Sequence, residues 1–204
     1  LKNDMKVKVC GIKHEENLLA IATLKVDWIG LNFYSKSKRF VETELKFADI
    51  SIPKVGVFVN ATLEYIREMV GQYGLSYVQL HGKESEHYCQ EAQSICPVIK
   101  VFSIDEKFDF QLTSPFDFCD YFLFDTKCEA YGGSGYKFDW NKLTKYEGDI
   151  PFLLAGGIGP DDLNEIKSIS HAQLVGVDIN SKFEIKPGLK NVKMVSNFIQ
   201  ELKK

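Results

Sequence analysis

Cys10 stands in VKVCGIK (7–13), after the apolar Val7 and Val9 and before a glycine that ends the run. A buried cysteine is usually an inert small hydrophobe. A thiol at the end of an extended run can instead act as a base, once its pKa falls from about 8.5. Asp125 closes YFLFD (121–125) in the same way. A carboxylate after four apolar or aromatic residues is costly to bury unpaired. It reads as a general acid or base, or else as a turn cap or a partner of Lys127. A thiol and a carboxylate facing each other across one pocket would form an acid–base pair.

Other residues offer binding rather than proton transfer. Arg39 lies in the basic stretch YSKSKRF (34–40). Its planar fork suits a carboxylate or phosphate, although most such stretches are simply solvated. His81 ends YVQLH (77–81) and reads as a catalytic group, a ligand or a hydrogen-bonded lining residue. In AGGIGPDD (155–162), Gly156 and Gly157 let the backbone approach an anion closely, ahead of a helix start. Backbone N–H groups at such a start favour negative charge; the plain alternative is a turn. YGGSGYKFDW (131–140) lacks the GK[ST] ending of a phosphate-binding P-loop. It is either a loop that folds over a site or a connector. There is no HxH, HExxH or Cys/His cluster, so no metal site is expected.

These residues need a frame that brings them together. Short apolar runs recur at 5–10, 28–33, 54–59, 77–81, 97–102, 121–125, 151–156 and 173–179. They are apolar on both faces, as buried parallel strands are. Segments with helical spacing lie between most of them. Residues 14–25 align Leu18, Ile21 and Ala22, 61–73 align Leu63, Ile66 and Val70 beside Met69, and 191–204 align Val192, Val195 and Ile199. Residues 160–169 open on a Pro-Asp-Asp start signal. Helices are poorly marked at 103–120 and 139–150. Strand–helix alternation of this kind, without a composition break, predicts an α/β fold: one (β/α)₈ barrel domain over 1–204. A doubly wound open sheet is the alternative. In a barrel the strands' C-terminal ends form the active face. Cys10, Arg39, Gln79, His81, Asp125, the Gly156–Gly157 pair and DINS (178–181) all fall at such ends.

Composition narrows the function classes. The chain has 204 residues, 45% of them hydrophobic, and a net charge of −3. That balance gives no electrostatic case for nucleic acid or an anionic membrane. No apolar run approaches the ~20 residues of a membrane span, and LKNDMKVK lacks the apolar core of a signal peptide. Five cysteines without CxxC pairs read as reduced thiols in a cytoplasmic protein.

Taken in order, KVCGIK, FYSKSKRF, VGVFVN, YVQLHG, FLFDTK, YGGSGYKFDW, LLAGGI, and GVDINSKFE with PGLKN resemble phosphoribosylanthranilate isomerase of tryptophan biosynthesis. The resemblance covers nearly the whole chain. It implies a (β/α)₈ barrel that performs an Amadori rearrangement of N-(5-phosphoribosyl)anthranilate, with no cofactor. It implies a small phosphorylated substrate, no nucleic acid or membrane partner, and a monomer or homodimer. The family's base falls on Cys10 and its acid on Asp125. Its arginine for the anthranilate carboxylate falls on Arg39, and its aspartate near the ribose on Asp178. His81 joins the substrate-binding set. Phosphate-binding backbone falls on Gly156, Gly157, Asn180 and Ser181. Three positions depart from the family pattern. Lys13 replaces a Thr, Lys182 stands where Gly is common, and Asn191 stands for Asp as a helix cap. A Lys at 182 would forbid a positive φ there, and its cation could face the phosphate. The related barrel isomerase of histidine biosynthesis uses an Asp on its first strand and a second phosphate site, which Cys10 and the missing glycine-rich turn after the third run disfavour. A non-catalytic phosphate-binding barrel is the remaining alternative.

Overall fold

The structure, a computed structural model, describes residues 5–42, 50–126 and 137–204. Its strands are β1 (Lys6–Cys10), β2 (Trp28–Asn32), β3 (Lys54–Phe58), β4 (Tyr77–Leu80), β5 (Val98–Ile104), β6 (Tyr121–Thr126), β7 (Phe152–Leu154) and β8 (Leu174–Ile179). They pair in sequence order, all parallel, and β8 closes on β1 through Lys6↔Gly176 to Val9↔Ile179. The fold is therefore a closed (β/α)₈-type barrel, as the strand–helix alternation predicts. The open-sheet alternative is excluded.

Helices α1 (Glu15–Ala22), α2 (Leu63–Tyr73), α3 (Glu86–Gln93), α4 (Leu163–Ser168) and α5 (Val192–Leu202) cover the outside. Thr62, Ser85 and Asn191 cap α2, α3 and α5, each side chain accepting a first-turn N–H. The stretches with weak helical marking hold 3₁₀ turns instead, Phe110–Phe116 and Trp140–Lys145. Pro115 lies inside the first, where it removes a donor.

Each strand sorts its side chains by parity. Val7, Val9, Phe122, Phe124, Val177 and Ile179 belong to the outer core beneath the helices. Trp28, Val55, Ile99, Val101, Leu123 and Leu153 fill a separate inner cluster, with Tyr77 and Tyr121 packed against it. The same parity puts Lys8 and Cys10 on the inner face of β1, Asp125 on that of β6 and Asp178 on that of β8. After β8 the chain adds a short hairpin, β9 (Glu184–Lys186) with β10 (Leu189–Lys190). Sequence periodicity did not foresee it.

Candidate active site

A pocket enclosing about 740 Å³, part of it open to solvent, occupies the C-terminal mouth of the barrel. Cys10, Arg39, His81, Asp125, Gly156, Gly157, Asp178, Asn180 and Ser181 all line it, and Gln79, Asn32, Tyr34 and Ser37 join them. Every site residue expected from the sequence is thus brought to one place.

Cys10 is buried, with its sulfur packed against Gly30 of β2; a Cβ there would lie 2.7 Å from Sγ. Burial pushes the thiol above its ordinary value. Lys8 and Lys190 pull it down and Asp178 pushes it up. Desolvation outweighs the nearby cations, so burial does not supply the lowered pKa expected of a base. The other described cysteines are buried and free. Burial raises Cys89 and Cys96 to about 11 and Cys119 to about 12. Cys128 and the Lys127 alternative for Asp125 lie outside the described residues, as does 131–136 of the glycine-rich stretch.

Asp125 is held at both oxygens. Oδ1 accepts the Thr126 N–H at 2.8 Å, and Oδ2 lies 3.3 Å from His81 Nε2. His81 Nδ1 in turn lies 3.2 Å from Gln79 Nε2. Both ring nitrogens of His81 are thus engaged within the protein, and the ring sits beside Asp125. Gln79 Oε1 is buried without a hydrogen-bond partner.

Arg39 does not share the fate of its basic neighbours. Lys36 and Lys38 are exposed, whereas Arg39 turns inward behind a bend in which Ser37 Oγ accepts its N–H. Its Nε and Nη2 bond Glu184 at 2.8 and 2.6 Å, as a fork on a carboxylate. Glu184 also takes Lys190 Nζ at 2.7 Å and the Gly188 N–H at 3.0 Å. Burial alone would raise Glu184, but Arg39 and Lys190 hold it below its ordinary value. Lys190 is drawn down by burial despite Glu184. On the wall between Cys10 and Asp125, Asp178 Oδ2 pairs with Lys8 at 3.0 Å and Oδ1 has no partner although buried. Burial pushes Asp178 up against the pull of Lys8.

The glycine pair adopts the conformations that its residue type permits, with φ of +89° at Gly156 and +70° at Gly157. A Cβ at 156 would collide with the Thr126 hydroxyl and amide. At the helix start after it, one donor is taken. Asp162 Oδ2 already accepts the Gly159 N–H at 2.7 Å. Gly156, Gly157, Asn180 and Ser181, the last opening the 3₁₀ turn Ser181–Phe183, line the pocket. Lys182 fits this turn without a positive φ. Its stem lies beside Gly159, and it is not among the pocket's lining residues. Lys13 packs over the Gly188 turn, and Asn191 caps α5 as expected.

Lys8, Glu184 and Lys190 were missed from the sequence. Lys8 carried a signal, since a charge between Val7 and Val9 shares the inner face with Cys10. Glu184 and Lys190 needed the hairpin, whose mark is the Pro187–Gly188 turn between short runs.

A thiol and a carboxylate three strands apart round the mouth, with a pair of positive-φ glycines between them, place the protein among the (β/α)₈-barrel enzymes. The family model for N-(5'phosphoribosyl)anthranilate (PRA) isomerase matches residues 7–201, and the chain belongs to that family, isomerases of tryptophan biosynthesis. The N-(5'-phosphoribosyl)anthranilate isomerase of Parabacteroides distasonis is 48% identical over 97% of this chain and 93% of its own. The crystal structure of phosphoribosyl anthranilate isomerase from Thermotoga maritima superposes with a TM-score of 0.84, at 31% identity over 98% of each chain. A phosphoribosyl anthranilate isomerase in complex with reduced 1-(o-carboxyphenylamino)-1-deoxyribulose 5-phosphate superposes with a TM-score of 0.81, at 28% identity over 98% of each chain.

Proposed function

We propose that the protein converts N-(5-phosphoribosyl)anthranilate to 1-(2-carboxyphenylamino)-1-deoxyribulose 5-phosphate, with Asp125 as general acid and Cys10 as general base. The observation that carries this reading is the convergence of Cys10, Asp125, Asp178 and the glycine pair on one pocket. Asp125 gives its proton to the ribose ring oxygen. The C1′–O bond breaks, and the anthranilate nitrogen takes up the double bond as a protonated Schiff base. Cys10, as thiolate, removes the C2′ proton. The enolamine that results tautomerises to the ketone. One proton is delivered and one taken, so no redox partner enters.

Binding follows from the remaining lining groups. The substrate phosphate sits on the backbone of Gly156, Gly157 and Ser181 beside Asn180. The unpartnered Oδ1 of Asp178 accepts a ribose hydroxyl, which relieves a buried acceptor. Arg39 keeps one edge on Glu184 and offers its other nitrogen to the anthranilate carboxylate. His81 and Gln79 govern the acid. Turning the Gln79 amide over gives Oε1 a partner in Nδ1–H and leaves His81 Nε2 to accept from a protonated Asp125. That arrangement matches the state in which the acid holds its proton. The test is incubation with the substrate while anthranilate fluorescence is followed. A fall as substrate is consumed supports the reading. Unchanged fluorescence with saturable binding would make the protein a non-catalytic barrel.

A further inference from the structure

Lys8 takes no part in the two proton transfers, yet its side chain is fully buried in the barrel interior. An ammonium there is costly to desolvate unless its partners compensate. Lys8 and Cys10 lie two residues apart on the inner face of β1. The ammonium bonds Asp178 Oδ2 at 3.0 Å, and from the same face of β1 its charge favours the Cys10 thiolate. A structural ion pair would be complete with Asp178 alone. The charges around the sulfur are also uneven. Lys190 pairs with Glu184 Oε1 at 2.7 Å and Arg39 with Glu184 Oε2 at 2.6 Å. Two cations, Lys8 and Lys190, thus favour the Cys10 thiolate against one carboxylate, Asp178.

We propose that Lys8 is a positioning residue for Cys10: its buried ammonium, anchored by Asp178, orients the sulfur and supplies the counter-charge of the thiolate. The proposal rests on the reading of Cys10 as the base. Every neighbouring charge has a defined sign of effect. Lys8 from β1 and Lys190 from β10 favour thiolate, and Asp178 from β8 opposes it. Asp125 from β6 and His81 after β4 act one step away, on Asp178. Arg39 and Glu184 act through Lys190. Lys8 itself is lowered by burial, but Asp178 and Cys10 together hold it above its ordinary value, so it stays charged.

The test is the pH dependence of Cys10 alkylation by iodoacetamide in the full chain without substrate, with the modified cysteine mapped by mass spectrometry. Lys8→Met and Asp178→Asn are compared with wild type. In Lys8→Met the profile is expected to move up by about one pH unit, or roughly tenfold slower alkylation near neutral pH. In Asp178→Asn it is expected to move down, because the opposing carboxylate is gone and the cation remains. Shifts in the same direction are what simple loss of packing produces, and they would overturn the proposal, as would no shift at all. If Lys8→Met does not fold, Lys8→Gln, which keeps a polar group facing Asp178, decides: alkylation slowed near neutral pH supports the role, and unchanged or faster alkylation defeats it. No turnover is read, so the outcome is separate from whether Cys10 is the base, which Cys10→Ser turnover decides.

Discussion

At the scale of single residues, the account turns on how burial and partners are balanced. Asp125→Asn should fold, because the amide oxygen can still accept from Thr126 N, yet it cannot donate the ring-opening proton. Turnover is expected to fall by roughly 10²–10⁴-fold, measured as kcat in a variant of unchanged circular dichroism. Near-normal turnover would remove Asp125 from the role. Arg39→Ala is expected to raise KM with little change in kcat, since its substrate contact is the same in ground and transition states. Glu184 would keep Lys190 and the Gly188 N–H, so the variant should stay folded. An unchanged KM would confine Arg39 to pairing with Glu184. Glu184 also gives a signed pH effect. Its folded pKa is depressed, so its stabilisation is complete above the unfolded carboxyl value of about 4.3 and is lost as pH falls through the lower folded value. Asp178, raised by burial, contributes with the opposite sign. Urea midpoints measured between pH 6 and 3 should therefore fall less steeply for Glu184→Gln than for wild type. Equal slopes would show that Glu184 carries no such stabilisation.

At the scale of elements, the strands were legible because their apolar runs are short and their ends carry charges that packing does not explain. In the folded barrel, parity decides which side of each strand faces the pocket, and Cys10, Asp125 and Asp178 share that side. The 3₁₀ turns at Phe110–Phe116 and Trp140–Lys145 left little helical signal to read, since turns that short carry scarcely any repeating face. The β9–β10 hairpin escaped periodicity for a related reason: strands of three and two residues have almost no period, and only the Pro187–Gly188 turn marks it. With it went Glu184 and Lys190, which decide how Arg39 is held. The helix start after the glycine pair illustrates another limit. Sequence left that start open as an anion site or a plain turn, and only the folded loop shows the Asp162 carboxylate turned back onto the Gly159 N–H. Gly156→Ala tests this element. A positive φ of 89° and a collision with Thr126 make the substitution strained. The expected result is a loss of stability of about 1 kcal/mol or more, with a raised KM and weaker inhibition by inorganic phosphate. Wild-type phosphate inhibition in a folded variant would separate the phosphate from this loop.

At the scale of the whole molecule, closure of β8 on β1 brings residues from the two ends of the chain into one network, as in Lys8 with Asp178 and Asn17 with Lys190. The outer core holds the strands in the register that this network needs. Phe152 is fully buried there, with ring centroids 4.8 Å from Phe124, 5.5 Å from Tyr146 and 5.0 Å from His171. Phe152→Ala should cost about 3–5 kcal/mol of unfolding free energy, from lost transfer energy plus the cavity. A denaturant midpoint near wild type would mean that the barrel wall collapses to fill the space.

The central claim is that the Cys10 thiolate is the base, and turnover of N-(5-phosphoribosyl)anthranilate by Cys10→Ser tests it most directly. A serine hydroxyl is too weakly acidic to replace a thiolate without a dedicated partner. The variant is expected to fold, to bind a product analogue as wild type does, and to lose about 10²-fold or more in kcat. A folded Cys10→Ser protein that keeps more than about a tenth of wild-type kcat would contradict the account, because even a weak general base contributes about 10²-fold.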